Sequence, residues 1–491
     1  MKPAEYLGFY NVGNSYLELE DFTNAKANFE KALKLKPRYE PVIGNLAVVY
    51  RRLGKIEKSL SCSTEAIKIN PENANNYYNI AITFTEAERI DDAEQNYRKA
   101  ILLDSRHTGS YNNLALIYQN RGQIEEGLNI IKKVLKFETS NADINHSIGI
   151  MNLQLGHLRE GWQYNEYRWK TSPFNKIIWP FENKSVWKGE KGKRVVLWKE
   201  QGVGDDIIFL SLVPEIKSMC DTLSVYVDPR LQNLCRRAMP EIKFVKDIEE
   251  MQNIDCEYHL PMGRVPGLIR NDISDFDRTV KGYLKADPER VDTIRSELKL
   301  DGKTAIGISW KSLRSLNNVK KSIHLKDMEH IFSGLDIVLV NLQYGDVGDE
   351  IREFKDATGI DVVQCASVDN REDLDGLAAL IEVCDLVVST SNVTIHIAGA
   401  LGKKTWVLVP YVVVNFWWLS DRTVSIWYPM LTVYRQKTPD DWDSVYIAIR
   451  KDLQNKIDEN DVVSVHHPAR SRRVTEASAA ADAEAGMNPT L

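Results

Sequence analysis

The sequence has few cysteines, no long apolar run and no basic leader. Its six cysteines are scattered over 491 residues without a C-x-x-C pair, which favours reduced thiols and excludes a disulfide framework or a structural zinc site of that spacing. No uninterrupted apolar run approaches the ~20 residues of a membrane-spanning helix, and the first residues lack a basic region followed by an apolar core. We therefore expect a cytoplasmic protein with no transmembrane segment.

An excess of basic side chains is also missing. The chain carries 63 lysines and arginines against 69 aspartates and glutamates, a net charge of -6, which argues against a broad nucleic-acid-binding surface. With 43% hydrophobic and 27% charged residues, the composition is that of a globular protein. At roughly 150 residues per domain, the length predicts about three domains. The charge balance predicts that the protein has no nucleic-acid partner.

A repeat of 34 residues organises the first third of the chain. Small residues recur at this spacing at Gly13, Ala47, Ala81, Ala115 and Gly149. An aromatic residue follows three positions after each of the first four, at Tyr16, Tyr50, Phe84 and Tyr118. This pattern resembles the tetratricopeptide repeat, which implies helix pairs stacked into an α-solenoid with a concave binding face. We assign residues 1–170 to about five such repeats, the last one degenerate.

Asparagines recur near the first helix of each repeat. They are Asn11, Asn14, Asn45, Asn79, Asn112, Asn113 and Asn145. Side-chain amides can hold an extended peptide backbone, but asparagines also cap and solvate helices, and the pattern leaves both interpretations open.

The periodicity changes near residue 187. Short apolar strands are predicted at 193–200, 223–228, 304–310 and 337–344, with helices between them, which indicates two parallel sheets that meet near 300–303. The stretch 385–410 then predicts a strand, a polar turn, a capped helix ending at Gly402 and another strand. The helix N-terminus would attract phosphate, although an ordinary βαβ unit explains the same pattern.

Several motifs of this part resemble a known family of enzymes. The segments WKEQGVGDDIIFLSLVPEI, EYHLPMGRVPGLI, GISWKS, VNLQYGD, DLVVSTSNVTIHIAGALGKKTWVLVP, WYP and DDWDSV are similar to those of heptosyltransferase-like (glycosyltransferase family 9-like) enzymes, which occur in bacteria fused to tetratricopeptide repeats. The resemblance implies a GT-B fold of two Rossmann-like domains, with the acceptor-side half at 171–301 and the nucleotide-sugar-binding half at 302–458. It also implies that neither a metal ion nor another cofactor is needed. The alanine-rich residues 459–491 are predicted to form a disordered tail.

On the acceptor side, the resemblance gives a catalytic role to the turn after the first predicted strand. Asp205 would be the general base that deprotonates the acceptor, within a turn that also contains Gln201, Gly202 and Gly204. The two glycines would allow a tight turn and close substrate approach. An aspartate in the first turn of a helix also caps it, so the residues alone leave both roles open for Asp205.

On the donor side, the resemblance places the nucleotide sugar at the ends of successive strands. The candidate contacts are Ser309, Lys311, Gln343, Tyr344, Ser391, Asn392, Val393, Thr394 and His396. Lys311 would hold the diphosphate, and the loop with Arg314, Lys320 and Lys321 would close over it unless those cations are merely solvated. His396 either packs in the core or contacts the ligand.

One position departs from the family pattern. Heptosyltransferases commonly have Asp-Thr where this chain has Ser391-Asn392, which argues against ADP-heptose as the donor. We predict a metal-independent glycosyltransferase that moves a hexosyl or heptosyl group from a nucleotide sugar to an acceptor selected by the repeats. That acceptor would be a protein such as flagellin, or a surface glycan. The alternative is a protein-interaction scaffold whose GT-B part binds nucleotide without turnover.

Overall fold

The N-terminal part of the chain is a stack of ten helices. The computed structural model describes residues 5–181, 183–278, 281–300, 302–312, 321–412, 416–419 and 422–466. The ten helices are α1 (Glu5–Glu18), α2 (Phe22–Leu35), α3 (Glu40–Arg52), α4 (Ile56–Ile69), α5 (Ala74–Glu86), α6 (Ile90–Leu103), α7 (Thr108–Asn120), α8 (Ile124–Ile131), α9 (Ala142–Gln154) and α10 (Leu158–Asn165). Each odd-numbered helix packs against the helix that follows it, as the repeat pattern predicts.

The small residues of the repeat lie where paired helices touch. A Cβ atom on Gly13 would lie 2.5 Å from the ring of Phe29, which belongs to α2. A Cβ atom on Gly149 would lie 2.6 Å from the backbone nitrogen of Asn165, at the end of α10. These contacts are closer than real Cβ atoms approach, so the spacing of small residues is a packing requirement of the helix pairs.

Several of the recurring asparagines form side-chain hydrogen bonds within the helical array. Asn45 Nδ2 donates to Asn14 Oδ1 of the preceding repeat at 2.7 Å. Asn112 Oδ1 accepts from Ser147 Oγ of the next repeat at 3.1 Å. These amides therefore join neighbouring repeats, a third role that the sequence did not indicate.

A five-stranded parallel sheet follows the array. Its strands are β1 (Ser185–Val186), β2 (Arg194–Trp198), β3 (Thr222–Tyr226), β4 (Lys243–Phe244) and β5 (Tyr258–Pro261), in the order β1-β5-β2-β3-β4. The helices among them are α11 (Val203–Leu210), α12 (Val213–Met219), α13 (Gln232–Ala238), α14 (Ile248–Gln252) and α15 (Val265–Ile269). Pro214 occupies the first turn of α12, where its missing N–H is not needed, and α12 is thereby separate from α11.

A six-stranded parallel sheet forms the last part of the chain. Its strands are β6 (Thr304–Ser309), β7 (Ile337–Asn341), β8 (Val362–Val363), β9 (Leu386–Thr390), β10 (Thr405–Val409) and β11 (Leu431–Arg435), in the order β11-β10-β9-β6-β7-β8. The helices are α16 (Pro288–Leu298), α17 (Glu329–Phe332), α18 (Gly348–Thr358), α19 (Leu374–Val383), α20 (Val393–Ala400) and α21 (Asp443–His466). Gly402 follows α20 with a φ of 75°, as predicted for the residue that ends this helix.

The chain separates into two compact units. The first comprises 1–227, 245–279 and 412–422, and the second comprises 228–244, 280–411 and 423–491. The predicted boundary at 301/302 therefore differs from the division in space. Ionic contacts within the second unit explain part of this difference, because Arg237 Nη1 and Nη2 bind the Asp375 carboxylate at 2.8 and 2.9 Å. These bonds hold α13 against α19.

The C-terminal boundary also differs from the prediction. Helix α21 continues to His466, eight residues into the segment 459–491 that was predicted to be a disordered tail. Neither glycine nor proline occurs between 443 and 466 to end the helix earlier. Residues 467–491 lie outside the described ranges, as do Arg314 and Lys320 of the loop predicted to close over the donor.

Candidate functional site

Three of the predicted donor-site residues meet at the carboxyl edge of the second sheet. Strands β9, β6 and β7 are neighbours, so the residues at their carboxyl ends lie side by side. Ser309 Oγ donates to Gln343 Oε1 at 2.9 Å, and Asn392 Nδ2 donates to Ser309 Oγ at 2.7 Å. All three side chains are buried. Each of them was predicted as a contact to the donor, which stays a prediction, and the sequence did not indicate that they bind one another.

Gln343 is the centre of this network. Besides Ser309 Oγ, its Oε1 atom accepts from the backbone N–H groups of Trp310 at 2.9 Å and Lys311 at 2.8 Å. Its Nε2 atom donates to the carbonyl oxygen of Tyr344 at 3.0 Å. The amide therefore fixes the chain just beyond β6, which makes Gln343 a positioning residue at this edge.

Asn392 caps α20 as its sequence position predicts. Its Oδ1 atom accepts from the backbone N–H of Thr394 at 3.0 Å, and its Nδ2 atom also donates to the carbonyl oxygen of Lys311 at 3.1 Å. The cap occupies one of the N–H groups at the start of α20. Ser391 is buried beside it, and Val393 is half-buried as the first helical residue. The Thr394 N–H, predicted to contact phosphate, is thus already bonded within the chain.

Lys311 is paired with an acidic residue. Its ammonium group forms a salt bridge with the Glu350 carboxylate, whose Oε1 atom also accepts from Trp310 Nε1 at 2.8 Å. The Lys311 side chain is 37% exposed, so a ligand can still reach it. A diphosphate bound by Lys311 would have to compete with Glu350 for the ammonium group.

His396 lies inside the second unit, one turn into α20. The residue is buried, and its Nδ1 atom lies 3.0 Å from the hydroxyl oxygen of Tyr428. Burial lowers the pKa of His396 to about 3, which leaves the imidazole neutral at neutral pH. Of the two interpretations, this environment favours packing with a hydrogen bond to Tyr428.

A polar cavity of about 620 Å³ opens beside the same sheet edge. Gln343 and Tyr344, both predicted as donor contacts, line it together with the segment 364–371. Asn370 Nδ2 donates to the carbonyl oxygens of Asn341 at 3.1 Å and Gln343 at 3.2 Å. The Asn370 Oδ1 atom is buried without a hydrogen-bond partner in the described part of the chain. Sequence reasoning missed Asn370, although it stands in a polar loop between a strand and a helix.

The acceptor-side turn is a helix N-terminus. Gly202 is the residue before α11, with a φ of -81°, and Gly204 lies within the first helical turn. The interpretation that both glycines serve a tight turn is therefore corrected, because the backbone here is extended and then helical. Gln201 Nε2 donates to Glu200 Oε1 at 3.1 Å, which fixes the residue before the turn.

Asp205 makes a capping contact in this turn. Its Oδ2 atom accepts from the backbone N–H of Gly202 at 3.1 Å, while the residue stays partly exposed. The neighbouring Asp206 is buried, and its Oδ2 atom lies 3.9 Å from Lys199 Nζ. Asp205 is thus the more accessible carboxylate of the two. The observed cap is compatible with a further role as a base, since a carboxylate has two oxygens.

A buried ion pair adjoins the acceptor-side turn, and sequence reasoning missed it. Arg168 Nη2 lies 2.9 Å from Glu200 Oε1, with the two side chains 2% and 1% exposed. A Cβ atom on Gly263 would lie 1.9 Å from the same glutamate oxygen, so only glycine leaves room for this pair. Arg168 belongs to the segment just after α10, and Glu200 to the segment just after β2. The pair therefore fastens the end of the helical array to the first sheet.

Neither a metal site nor a membrane span occurs among the residues that the structure describes. Within these ranges, no group of three or more His, Cys, Asp or Glu residues is arranged to hold a metal ion. None of the described helices is both long enough and apolar enough to span a membrane.

The N-terminal array matches a known repeat family. The tetratricopeptide repeat profile matches residues 8–39, 41–73, 74–107 and 108–137. These matches cover four of the five helix pairs, so this part of the chain consists of tetratricopeptide repeats. Repeats of this kind support a protein-interaction role.

One curated relative extends beyond the repeats. The chain is 29% identical over 296 residues to Protein FlbA of Caulobacter vibrioides, a match that covers 56% of this chain and 49% of that protein. The chain thus spans about half the length of this relative.

Several solved structures are similar to part of this chain. The crystal structure of MamA protein is 18% identical with a TM-score of 0.29, covering 34% of this chain and 91% of that one. A thermophilic tetratricopeptide repeat protein of Thermus thermophilus is also 18% identical, with a TM-score of 0.31, covering 34% of this chain and 92% of that one. Pseudomonas aeruginosa pilF is 15% identical with a TM-score of 0.34, covering 43% and 85%.

Proposed function

We propose that the chain is a cytoplasmic glycosyltransferase of GT-B type. It would transfer a hexosyl or heptosyl group from a nucleotide sugar to a protein or glycan acceptor that the tetratricopeptide repeats select, without a metal ion. The polar cavity beside Gln343 and Tyr344 carries this proposal, because it lies at the carboxyl edge of a parallel sheet, where α/β proteins bind nucleotides. A volume of about 620 Å³ is within the range of small-ligand sites.

Different residues around this cavity would contact different parts of the nucleotide-sugar donor. Asn370 Oδ1 lacks a partner within the described ranges and would accept a hydrogen bond from a base amino group or a ribose hydroxyl. Lys311, near the end of β6, is the cation available to the diphosphate once Glu350 releases it. The network of Ser309, Gln343 and Asn392 would hold the surrounding backbone rigid rather than contact the donor directly.

A specific observation favours the second candidate function, a scaffold that binds nucleotide without turnover. The side chains of Ser309, Gln343 and Asn392 already bind one another, and Lys311 already has a carboxylate partner. A site that retains binding but has lost catalysis would show these features together with Ser391-Asn392 in place of the family's Asp-Thr. Binding and turnover must therefore be measured separately.

Nucleotide binding is the first test. Calorimetric titration of the full chain with UDP, GDP, ADP, CMP and dTDP should show one nucleotide that binds with equal affinity in magnesium and in EDTA. Asn370→Ala should weaken that binding by about tenfold, as expected for the loss of one buried hydrogen bond. The exposed Gln364 lines the same cavity, so Gln364→Ala serves as the matched control and should bind nearly as the parent does. Absence of binding across the panel would contradict the proposal.

Asp205→Asn separates the catalytic role from the capping role. The asparagine oxygen can still accept the Gly202 N–H, so the thermal midpoint should stay close to that of the parent. Because an amide cannot take the acceptor proton, hydrolysis or transfer of the bound nucleotide sugar should fall by about 100-fold or more, the usual contribution of a general base. Unchanged turnover with unchanged stability would leave Asp205 as a helix cap alone.

A further inference from the structure

A second cavity lies where the helical array meets the first sheet. It measures about 440 Å³ and is distinct from the polar cavity of the second unit. Its walls come from α10, from α15 with the residues before it, and from the segment 186–188. All of these belong to the first compact unit. Its volume lies within the range of small-ligand and side-chain pockets.

Two tryptophans give the cavity rigid apolar walls. Trp162 Nε1 donates to the carbonyl oxygen of Arg270 at 2.8 Å, and Trp187 Nε1 donates to the carbonyl oxygen of Glu190 at 2.9 Å. Both indole N–H groups are therefore already satisfied, and both side chains are buried. An occupant meets their hydrocarbon surfaces, which favour an apolar side chain.

An amide without a partner also lines the cavity. Asn165 is only 4% exposed, yet its side chain makes no hydrogen bond in the part of the chain that the structure describes. The amide lies in the cavity wall, where an incoming donor and acceptor pair can bond to it. A peptide group offers one N–H and one C=O, which is the complement of this amide.

The rim of the cavity is positively charged. Arg264 lies 2.5 Å from Glu166, which also binds Arg168 at 3.2 Å, so the one acidic lining residue is neutralised. Within the described ranges, neither Arg159 nor Lys188 forms a salt bridge and both are exposed, while Arg159 also acts electrostatically on Asp272 and Lys188 on Glu190. An occupant with a carboxylate beside its apolar part would complement these two cations.

We infer that this cavity binds a polypeptide segment in which a large apolar side chain stands next to an acidic one. The apolar side chain enters between Trp162 and Trp187, its backbone bonds to Asn165, and its carboxylate faces Arg159 and Lys188. The site adjoins the last helix pair of a repeat array of a protein-binding family. It therefore extends the partner surface of the repeats into the first sheet. The inference does not depend on sugar transfer.

Selection from a random-peptide phage library on the immobilised full chain tests this assignment. The expected peptides combine a leucine or aromatic residue with a neighbouring aspartate or glutamate. Their affinity, measured afterwards by calorimetry, should fall about tenfold for Asn165→Leu and at least as much for the double variant Arg159→Glu with Lys188→Glu. Lys191 is exposed and lies near Lys188 in the sequence, but it does not line the cavity. The charge reversal Lys191→Glu should therefore change the affinity for the peptides little.

The other outcomes would overturn the assignment. If the selected peptides lose affinity with Asn79→Ala in the repeats but not with the rim variants, they bind the array and not the cavity. If hydrocinnamate, an aromatic carboxylate without a peptide group, competes as well as the peptides do, the cavity is a small-molecule site. If the selected peptides do not share an apolar residue next to an acidic one, the assignment is also wrong. The circular dichroism melt of each variant shows whether it is folded, and nucleotide titration reports separately on the proposed transferase.

Discussion

Arg168→Met is expected to lower the free energy of unfolding by about 3–5 kcal/mol, the cost of leaving one member of a buried ion pair without its partner. The Glu200 side chain is 1% exposed and has Arg168 as its charged neighbour at 2.9 Å. Its other oxygen, Oε2, has no hydrogen-bond partner within the described ranges, so the loss of Arg168 removes most of its compensation. The measurement is the midpoint of urea unfolding of the first compact unit, with tryptophan fluorescence as the signal that reports unfolding.

A matched control and a double variant make this prediction specific. Arg52 also pairs with a glutamate, Glu20, at 2.7 Å, but these side chains are 44% and 70% exposed. Arg52→Met should therefore cost less than about 1 kcal/mol. Adding Glu200→Gln to Arg168→Met removes the buried charge and should recover much of the lost stability. Equal losses for Arg168→Met and Arg52→Met would show that burial does not determine the strength of this pair.

The Arg168–Glu200 ion pair also supports the acceptor-side turn. Glu200 Oε1 also accepts from Gln201 Nε2 at 3.1 Å, and Gln201 directly precedes the helix start that carries Asp205. The end of the repeat array thus contacts the segment in which the proposed base lies. Loss of Arg168 would release both sides of this connection. Turnover in Arg168→Met should fall more than nucleotide affinity, because the polar cavity proposed to bind the nucleotide lies in the second unit.

Much of the fold was predictable from local patterns. The 34-residue spacing of small residues defined the repeats because helix pairs require close contact at these positions, as Gly149 shows. Six of the longer strands were predicted from apolar runs, and Gly402 from its place after a helix, whereas β5 and the five-residue β11 were not predicted. The strands of two residues, such as Ser185–Val186 and Val362–Val363, were missed because so short a run carries no periodicity.

The candidate site was less predictable, since its contacts depend on strand order. Ser309, Gln343 and Asn392 were each predicted as donor contacts from the family resemblance, at positions that follow strands. That they bind one another follows from β9, β6 and β7 being neighbours, which no local pattern reveals. The partners of Lys311 and Glu200 likewise come from distant segments of the chain. The sequence predicted polar side chains at the sheet edge, but only the structure shows which groups they form hydrogen bonds with.

Gln343→Met should destabilise the second unit by about 3 kcal/mol, since two buried donors and one partly buried donor lose their acceptor and each unsatisfied group costs about 1–3 kcal/mol. These donors are Ser309 Oγ and the N–H groups of Trp310 and Lys311. Hydrogen exchange provides the local measurement, because both backbone amides should exchange faster in the variant while amides of the repeats keep their rates.

The matched control for this variant is Gln364→Met, which lines the same cavity with an exposed side chain. It removes an amide of the same size without leaving a buried donor, so its effect on stability should stay within about 0.5 kcal/mol. If Gln343→Met leaves the exchange of both amides unchanged, the glutamine does not hold the chain after β6. If exchange rises and nucleotide affinity falls together, the network acts by fixing the backbone on which Lys311 stands.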